Sequence, residues 1–409
     1  MRTISEAQLA AILARLPGVP RIVAGGNFAT PLSALGVMDK SIERYRLFML
    51  NAQVGIPDRS EVLLETPFVG PGMRGRPNLR YFPGRLSLVP PLLAGPLAPD
   101  IVVVQTSVPD AGTVSLGTEV NVLPAAIDAV RRRGGLVIAQ LNPQMPYIYG
   151  DGVLPTDEID YAIDTDLPLP APAIREPDER SRLIGEQVAD LVPDGATLQL
   201  GIGSVPDAAL AALMSRTALR VWSEMFSDGV LRLEQAGALD RDAPINASFL
   251  FGSTELQAWV DHNPRVRLLR TEKTNDPALI AKHPLLTSIN SALQVDLYGQ
   301  ANASRMRGRI YSGFGGQTDF VVGALHSAGG KAIIALPSWH DKTQSSTVVP
   351  LLTQPVTSFQ HSFVASEHGT AMIWGRDSDS QARDIIDRVA HPHVRAGLRE
   401  AAHGLGLRL

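Results

Sequence analysis

Short apolar runs rich in β-branched residues recur along this chain, each followed by a stretch with helical spacing, and that rhythm limits the fold more than any single motif does. "RIVAGG" (21–26), "DIVVVQTS" (100–107) and "GLVIAQLNP" (135–143) alternate in the first half with segments such as "NVLPAAIDAVRRRGG" (121–135), which closes on a basic last turn and glycine. The second half repeats the pattern with "ATLQLGIG", "LRVWSEM", "VRLLR", "KAIIALPS" and "SFVASEHG". Strands spaced by helices build βα units, so both halves are predicted to be open, mostly parallel α/β sheets.

Between the halves, Pro168, Pro170, Pro172 and Pro177 punctuate "DTDLPLPAPAIREPDERS" (164–181) and oppose both helical and strand hydrogen bonding. The predicted division is a first lobe over 1–175 and a second over 176–409. A length of 409 residues exceeds what one hydrophobic core comfortably serves. With 44% hydrophobic and 19% charged residues the chain is of ordinary globular composition, and a net charge of −4 gives no electrostatic pull toward nucleic acid or an anionic membrane. The absence of cysteine excludes disulfides, iron–sulfur ligation and thiolate nucleophiles. Residues 1–20 mix Glu6 and Arg15 into an amphipathic pattern, and no run of 18 apolar residues occurs, so neither a secretory leader nor a spanning helix is expected. A cytoplasmic location follows as the expectation.

The segment "DGATLQLGIGSVPDAALAALMSR" (194–216) reads as strand, glycine turn and helix. Ala196–Leu200 forms the strand, Gly201-Ile202-Gly203 the turn, and Ser204 with Asp207 a capping box in front of Pro206. Such a turn offers backbone N–H groups and a positive helix end to an anion or a developing oxyanion. Leu219–Ser223 is then the next parallel strand, with Glu224 at its carboxyl end, the side on which open α/β sheets bind ligands. A glycine pair is also a plain turn, and a glutamate before Ser-Asp-Gly is also a solvated or capping residue. From spacing alone the conclusion stops at an anion-binding cleft with a carboxylate.

The blocks "LQLGIGSVPDA", "SEMFSDGVL", "INSALQVDLYGQANAS", "YSGFGGQTDFVVGA", "GGKAIIALPS" and "VASEHGTAMIWG" together resemble the acetyl-CoA hydrolase/transferase family, the branch of family I CoA-transferases that contains 4-hydroxybutyrate CoA-transferase. The resemblance is strongest from Ile184 to Gly375; in the first lobe it rests on "SLGTEVN" (115–121) and "LNPQMP" (141–146). It implies two α/β domains of CoA-transferase type with the active site between them. It further implies a glutamate that attacks an acyl-CoA, passes through an acyl–glutamyl anhydride and a glutamyl-CoA thioester, and hands CoA to an acceptor carboxylate. Glu224 matches that nucleophile. Gln199, Gly201 and Gly203 match one segment lining the CoA site, and Gly313, Gly315 and Gly316 a second. Glu367 falls in a recurring block, either at the site or in a hydrogen bond beneath it. Coenzyme A is implied as a co-substrate, with an acyl-CoA and a small carboxylate as partners, no metal or other cofactor, and a homo-oligomeric state.

Departures from the family pattern bear on specificity. Trp222-Ser223 stands where His-Thr is common, and is expected to reshape the acyl pocket. Gln294 replaces a residue that is usually acidic, changing charge around the site. Ser345–Pro350 lacks the basic residue that often precedes the Ile-Val-Pro segment, which argues against an arginine-anchored small fatty acid. An acyl-CoA hydrolase on the same scaffold and a non-catalytic acyl-CoA-binding protein stand as alternatives. His391-Pro392-His393 lacks a third ligand at usual spacing, and Lys331 after Gly329-Gly330 lacks the phosphate-loop spacing, so neither is assigned a site.

Overall fold

The computed structural model describes residues 1–172, 176–201, 203–354, 356 and 360–409. Ile202 of the glycine turn and residues 173–175 of the proline-rich connection lie outside them. The chain forms two compact units, residues 1–173 with 246–274, and residues 174–245 with 275–409. The segment Asn246–Thr274, which a single cut after residue 175 leaves in the second lobe, belongs to the first unit.

The first unit is built on β1 (Arg2–Thr3), β2 (Arg21–Ala24), β3 (Tyr45–Phe48), β4 (Val62–Thr66), β5 (Leu79–Tyr81), β6 (Ile101–Thr106), β7 (Leu136–Leu141) and β8 (Tyr161–Asp164). Their order across the sheet is β1-β8-β7-β6-β2-β3-β4-β5, and every neighbouring pair is parallel. All six residues of β6 are buried, and its Ile-Val-Val-Val start is the continuous apolar run expected of a strand covered on both faces. Each such valine removed from water contributes about 1.5–3 kcal/mol. Helix α1 (Leu32–Ser41) follows β2, and α2 (Leu123–Arg132) precedes β7. The predicted stop of α2 is realised as paired terminal bonds: Gly134 N–H donates to Arg131 O at 3.1 Å and Gly135 N–H to Val130 O at 3.0 Å, with Gly134 at φ +71°.

In the second unit the strands are β9 (Thr197–Leu200), β10 (Arg220–Trp222), β11 (Thr287–Ser291), β12 (Lys331–Ala335), β13 (Phe363–Ser366) and β14 (Gly369–Met372). They run in the order β14-β13-β12-β11-β9-β10, parallel except for the β13–β14 hairpin. Helix α3 (Glu179–Ala189) is capped by Asp178, which accepts from Ser181 N–H at 2.7 Å. It packs on α4 (Ser204–Ala212) through Gly185, where a Cβ would fall 2.6 Å from the backbone of Ala208. Helices α5 (Asp228–Gln235) and α6 (Gln317–His326) complete the elements around the candidate site. Both units are thus mixed α/β with mostly parallel sheets, as the alternation of runs predicts.

The capping box does not form. Ser204 is already helical, Gly203 takes the cap position at φ +127°, and no side-chain bond closes the end. Asp207 instead accepts from Ser227 Oγ at 3.2 Å, at the start of α5. Only glycine enters that backbone region without strain, so the turn rather than the serine starts the helix.

Candidate active site

Glu224 leaves the sheet at the carboxyl end of β10, and both of its neighbours are fixed to the end of β9. The fully buried Ser223 accepts from Leu200 N–H through Oγ at 3.0 Å and donates back to Leu200 O at 3.3 Å. Met225 pairs antiparallel with Leu200. The residue is therefore held in a short reversal of the strand rather than on a free loop. A strand gives out into a carboxylate here because its flanking residues turn back onto the neighbouring strand.

Two donors meet the carboxylate. Asn275 Nδ2 lies 3.3 Å from Oε2, and the Gly316 N–H also bonds the group. Gly316 caps α6, and a Cβ at this position would stand 1.9 Å from Glu224 Oε2 and 2.3 Å from Asn275 Nδ2. Its lack of a side chain is a requirement of the site, since its own φ of −90° is open to any residue. Burial raises the Glu224 pKa to about 7; the Asn275 amide and the Gly316 N–H oppose the rise, and the charge of the buried Asp319 on α6 adds to it. Near neutrality the group is divided between acid and carboxylate.

The remaining predicted residues separate. Gly201 and Gly203 lie at the end of β9, in the same βαβ unit as Glu224. Gln199 is buried within the sheet, where its Oε1 accepts from Asn290 Nδ2 at 2.8 Å. Gly315 takes a left-handed φ of +56° directly before Gly316. Gly313 lines a small cavity with Phe314, Ser304, Gln317 and Thr318, so the second glycine segment spans both the carboxylate and a recess beside it. Glu367 accepts from Ser338 N–H at 2.9 Å and Oγ at 2.6 Å, with Arg180 at 3.8 Å, which is the hydrogen-bonding alternative weighed from the sequence. The Trp222 ring lies against His283, tilted by 32° with ring centres 4.2 Å apart, and packs against the apolar cluster of the unit. Gln294 stands opposite Asn302 in an antiparallel pair. His391 Nδ1 accepts from His393 N–H, and Lys331 Nζ donates to Leu191 O, roles within the fold.

Asn275 and Asp319 were not singled out by spacing. The first sits in "TNDPALI", where Asp276 caps a short helix and Pro277 opens it, so its sequence signal is that of an ordinary turn. The second falls within "YSGFGGQTDFVVGA", where an acid in the first turn of a helix is the signal, though its burial comes only with the fold.

The site is thus an α/β scaffold that carries a desolvated carboxylate at its strand ends, gripped by an amide and a glycine N–H. Models of the acetyl-CoA hydrolase/transferase N-terminal and C-terminal domains match residues 73–172 and 252–402. The 4-hydroxybutyrate coenzyme A transferase of Clostridium kluyveri is 37% identical over 310 residues, 73% of this chain and 71% of that protein. The succinyl-CoA:acetate/propanoyl-CoA:succinate CoA transferase of Fasciola hepatica is 34% identical over 389 residues, 90% and 80% of the two chains. The crystal structure of 4-hydroxybutyrate CoA-transferase from Porphyromonas gingivalis matches with a TM-score of 0.83 at 29% identity, covering 99% of this chain and 98% of the other. The crystal structure of RipA from Yersinia pestis matches at 0.92 and 26% identity, covering 100% and 98%. The chain belongs to the acetyl-CoA hydrolase/transferase family of enzymes. Among the described residues no helix is long and apolar enough to cross a membrane.

Proposed function

We propose that this enzyme moves CoA from an acyl-CoA to a small carboxylate acceptor, with Glu224 as the covalent nucleophile. The observation that carries the reading is the grip of Asn275 and Gly316 on a carboxylate whose pKa stands at about 7. Ionised Glu224 attacks the thioester carbonyl, the C–S bond breaks, and CoA thiolate leaves an acyl–glutamyl anhydride. The thiolate attacks the glutamyl carbonyl and releases the acyl group as its carboxylate. The acceptor carboxylate then attacks the resulting glutamyl-CoA thioester, and thiolate returns to the new acyl carbonyl. A carboxylate suits the task because its anhydride retains acyl-transfer potential, which a serine ester does not. Each attack places negative charge on a carbonyl oxygen, and the Asn275 amide and the Gly316 N–H are the donors at hand. The chemistry calls for coenzyme A as a co-substrate and for no further cofactor.

Incubation with acyl-CoA followed by peptide mass analysis tests this directly: CoA attached at Glu224 supports the assignment, and its attachment elsewhere removes it. Acetyl-CoA hydrolases of Kluyveromyces lactis and Saccharomyces cerevisiae are also similar, at 30% and 29% identity over about half of this chain. Water taking the place of the acceptor carboxylate gives that activity, and CoA release that does not depend on added carboxylate identifies it.

Dependence on pH follows from the same carboxylate. Because the ionised form reacts, kcat/KM for acyl-CoA is expected to rise about tenfold per pH unit below about 7 and then level off. A profile flat across that range contradicts the assignment. Asn275→Ala removes an amide that favours the charged form, so the midpoint moves upward and kcat falls about 100-fold. Loss of kcat without movement of the midpoint points instead to a distorted fold.

A further inference from the structure

The second unit carries an arginine-rich hairpin to which the proposed chemistry assigns no role. Arg305–Met306 and Arg309–Ile310 pair antiparallel, with Met306 opposite Arg309, and Arg307-Gly308 form the two-residue turn. Both turn residues are left-handed, at φ +50° and +78°, the geometry that suits the twist of a hairpin. Its first position favours asparagine, aspartate or glycine, so an arginine stands there against its backbone preference. From Leu297 to Thr318 the chain has three arginines and no acid, although its net charge as a whole is −4. Gly308 N–H donates to Gln354 Oε1 at 2.6 Å, and Arg305 Nη1 donates to Gly308 O at 3.2 Å. Arg307 and Arg309 are exposed, and among the described residues neither has an acidic partner.

The hairpin grows out of the recess that follows Glu224 along the second glycine segment. Ala303 and Ser304 on one side of it, and Gly313 and Phe314 on the other, line that recess together with Thr318. Tyr311 and Ser312 N–H both donate to Ser304 O, at 2.8 and 3.2 Å, and close the base of the hairpin. Thr318 is 4% exposed, and its Oγ1 is buried with no hydrogen-bond partner, a polar group that an occupant of the recess is needed to satisfy. Arg309 stands seven residues before Gly316, a separation of at most about 25 Å even were the chain fully drawn out. Carboxylate, recess with an unpaired hydroxyl, and arginines thus follow one another within one unit. Coenzyme A presents matching groups in the same order: a thiol, an arm bearing amides, and a terminal phosphate.

We propose that Arg307 and Arg309 hold the 3′-phosphate of coenzyme A, with the arm of the molecule lying along the recess toward Glu224. The inference rests on the acyl-CoA reading of the site and deepens it by naming the residues that anchor the far end of the substrate. A phosphomonoester carries close to two negative charges at neutral pH and offers three acceptor oxygens, which suits the forked donors of arginine. Met306, 42% exposed, shares the face of Arg309 and sets an apolar side chain beside the guanidinium, where the nucleoside next to that phosphate comes to rest.

The test compares dissociation constants of free coenzyme A and 3′-dephospho-coenzyme A, measured by calorimetry on the whole chain, so that binding is read without turnover. The wild type is expected to prefer coenzyme A, and the preference to narrow as salt is raised. Arg307→Ala with Arg309→Ala is expected to weaken coenzyme A about tenfold or more and dephospho-coenzyme A by less than twofold, with melting unchanged because both side chains are exposed. The corresponding double lysine variant keeps the charge and loses the fork, and its affinity is expected to fall between the two. Equal weakening of both ligands, no weakening of either, or a wild type that does not distinguish them overturns the proposal. Binding of inorganic phosphate that disappears in the double alanine variant while coenzyme A is held as before marks an adventitious anion site only, and also overturns it. A missing CoA adduct at Glu224 would instead refute the nucleophile and leave these binding constants interpretable.

Discussion

Glu224→Ala is expected to lose turnover by on the order of 10⁴-fold or more, together with the CoA adduct, and to become more stable rather than less. Loss on this scale is what removing a covalent nucleophile does, since the remaining donors bind substrate but have no group to which the acyl carbon can transfer. The stability effect follows from the pKa. Folding raises the group from its ordinary 4.5 to about 7, so the unfolded chain gives up the proton first, and stability falls as pH rises between these values. Above about 7 the folded state carries the full cost of an enclosed charge. One pKa unit corresponds to about 1.4 kcal/mol; discounted for the partial exposure of the residue, the expected gain in Glu224→Ala is about 1–2 kcal/mol at alkaline pH, vanishing near pH 4.5. Thermal melting of both proteins across this range checks the sign. An alanine variant that retains activity, or one that melts lower only at high pH, contradicts the argument.

The second large effect is expected from a single methyl group. Gly316→Ala has no backbone reason to fail, yet its Cβ would lie 1.9 Å from Glu224 Oε2 and 2.3 Å from Asn275 Nδ2. Neither separation is physical, so one or both side chains must swing away. Both are attached by flexible torsions and can do so at modest cost in stability. The penalty falls on alignment: displacing the carboxylate and the amide by about an ångström is expected to reduce kcat about 100- to 1,000-fold, with melting little changed. The measurement is kcat with acyl-CoA beside the rate of adduct formation. Undiminished rates in a folded Gly316→Ala protein would show that the observed closeness has no part in turnover.

Much of the scaffold was legible because it is written in local pattern. The run Thr197–Leu200, the glycine turn and the run Arg220–Trp222 each state their element within a few residues, and the resemblance picked Glu224 out of an otherwise ambiguous turn. The error at Ser204 was also local: a serine followed three residues later by an acid looks the same whether it caps the helix or begins it, and only the φ of Gly203 separates the two. What could not be read was contact at a distance. Asn275 meets Glu224 across 51 positions of sequence, and the Gly316 clearance depends on two side chains from other elements. The membership of Asn246–Thr274 in the first unit is likewise a fact of packing that strand periodicity leaves open.

The double attachment of Ser223 and Met225 to Leu200 sets how the glutamate can travel. With its main chain pinned on either side, the residue works as a short swinging arm on a stationary pivot. Any reach toward thioester, thiolate or acceptor comes from torsions of the side chain alone. In the reaction proposed above, successive acyl and CoA cargoes would then be passed at one spot, with substrates brought to the arm.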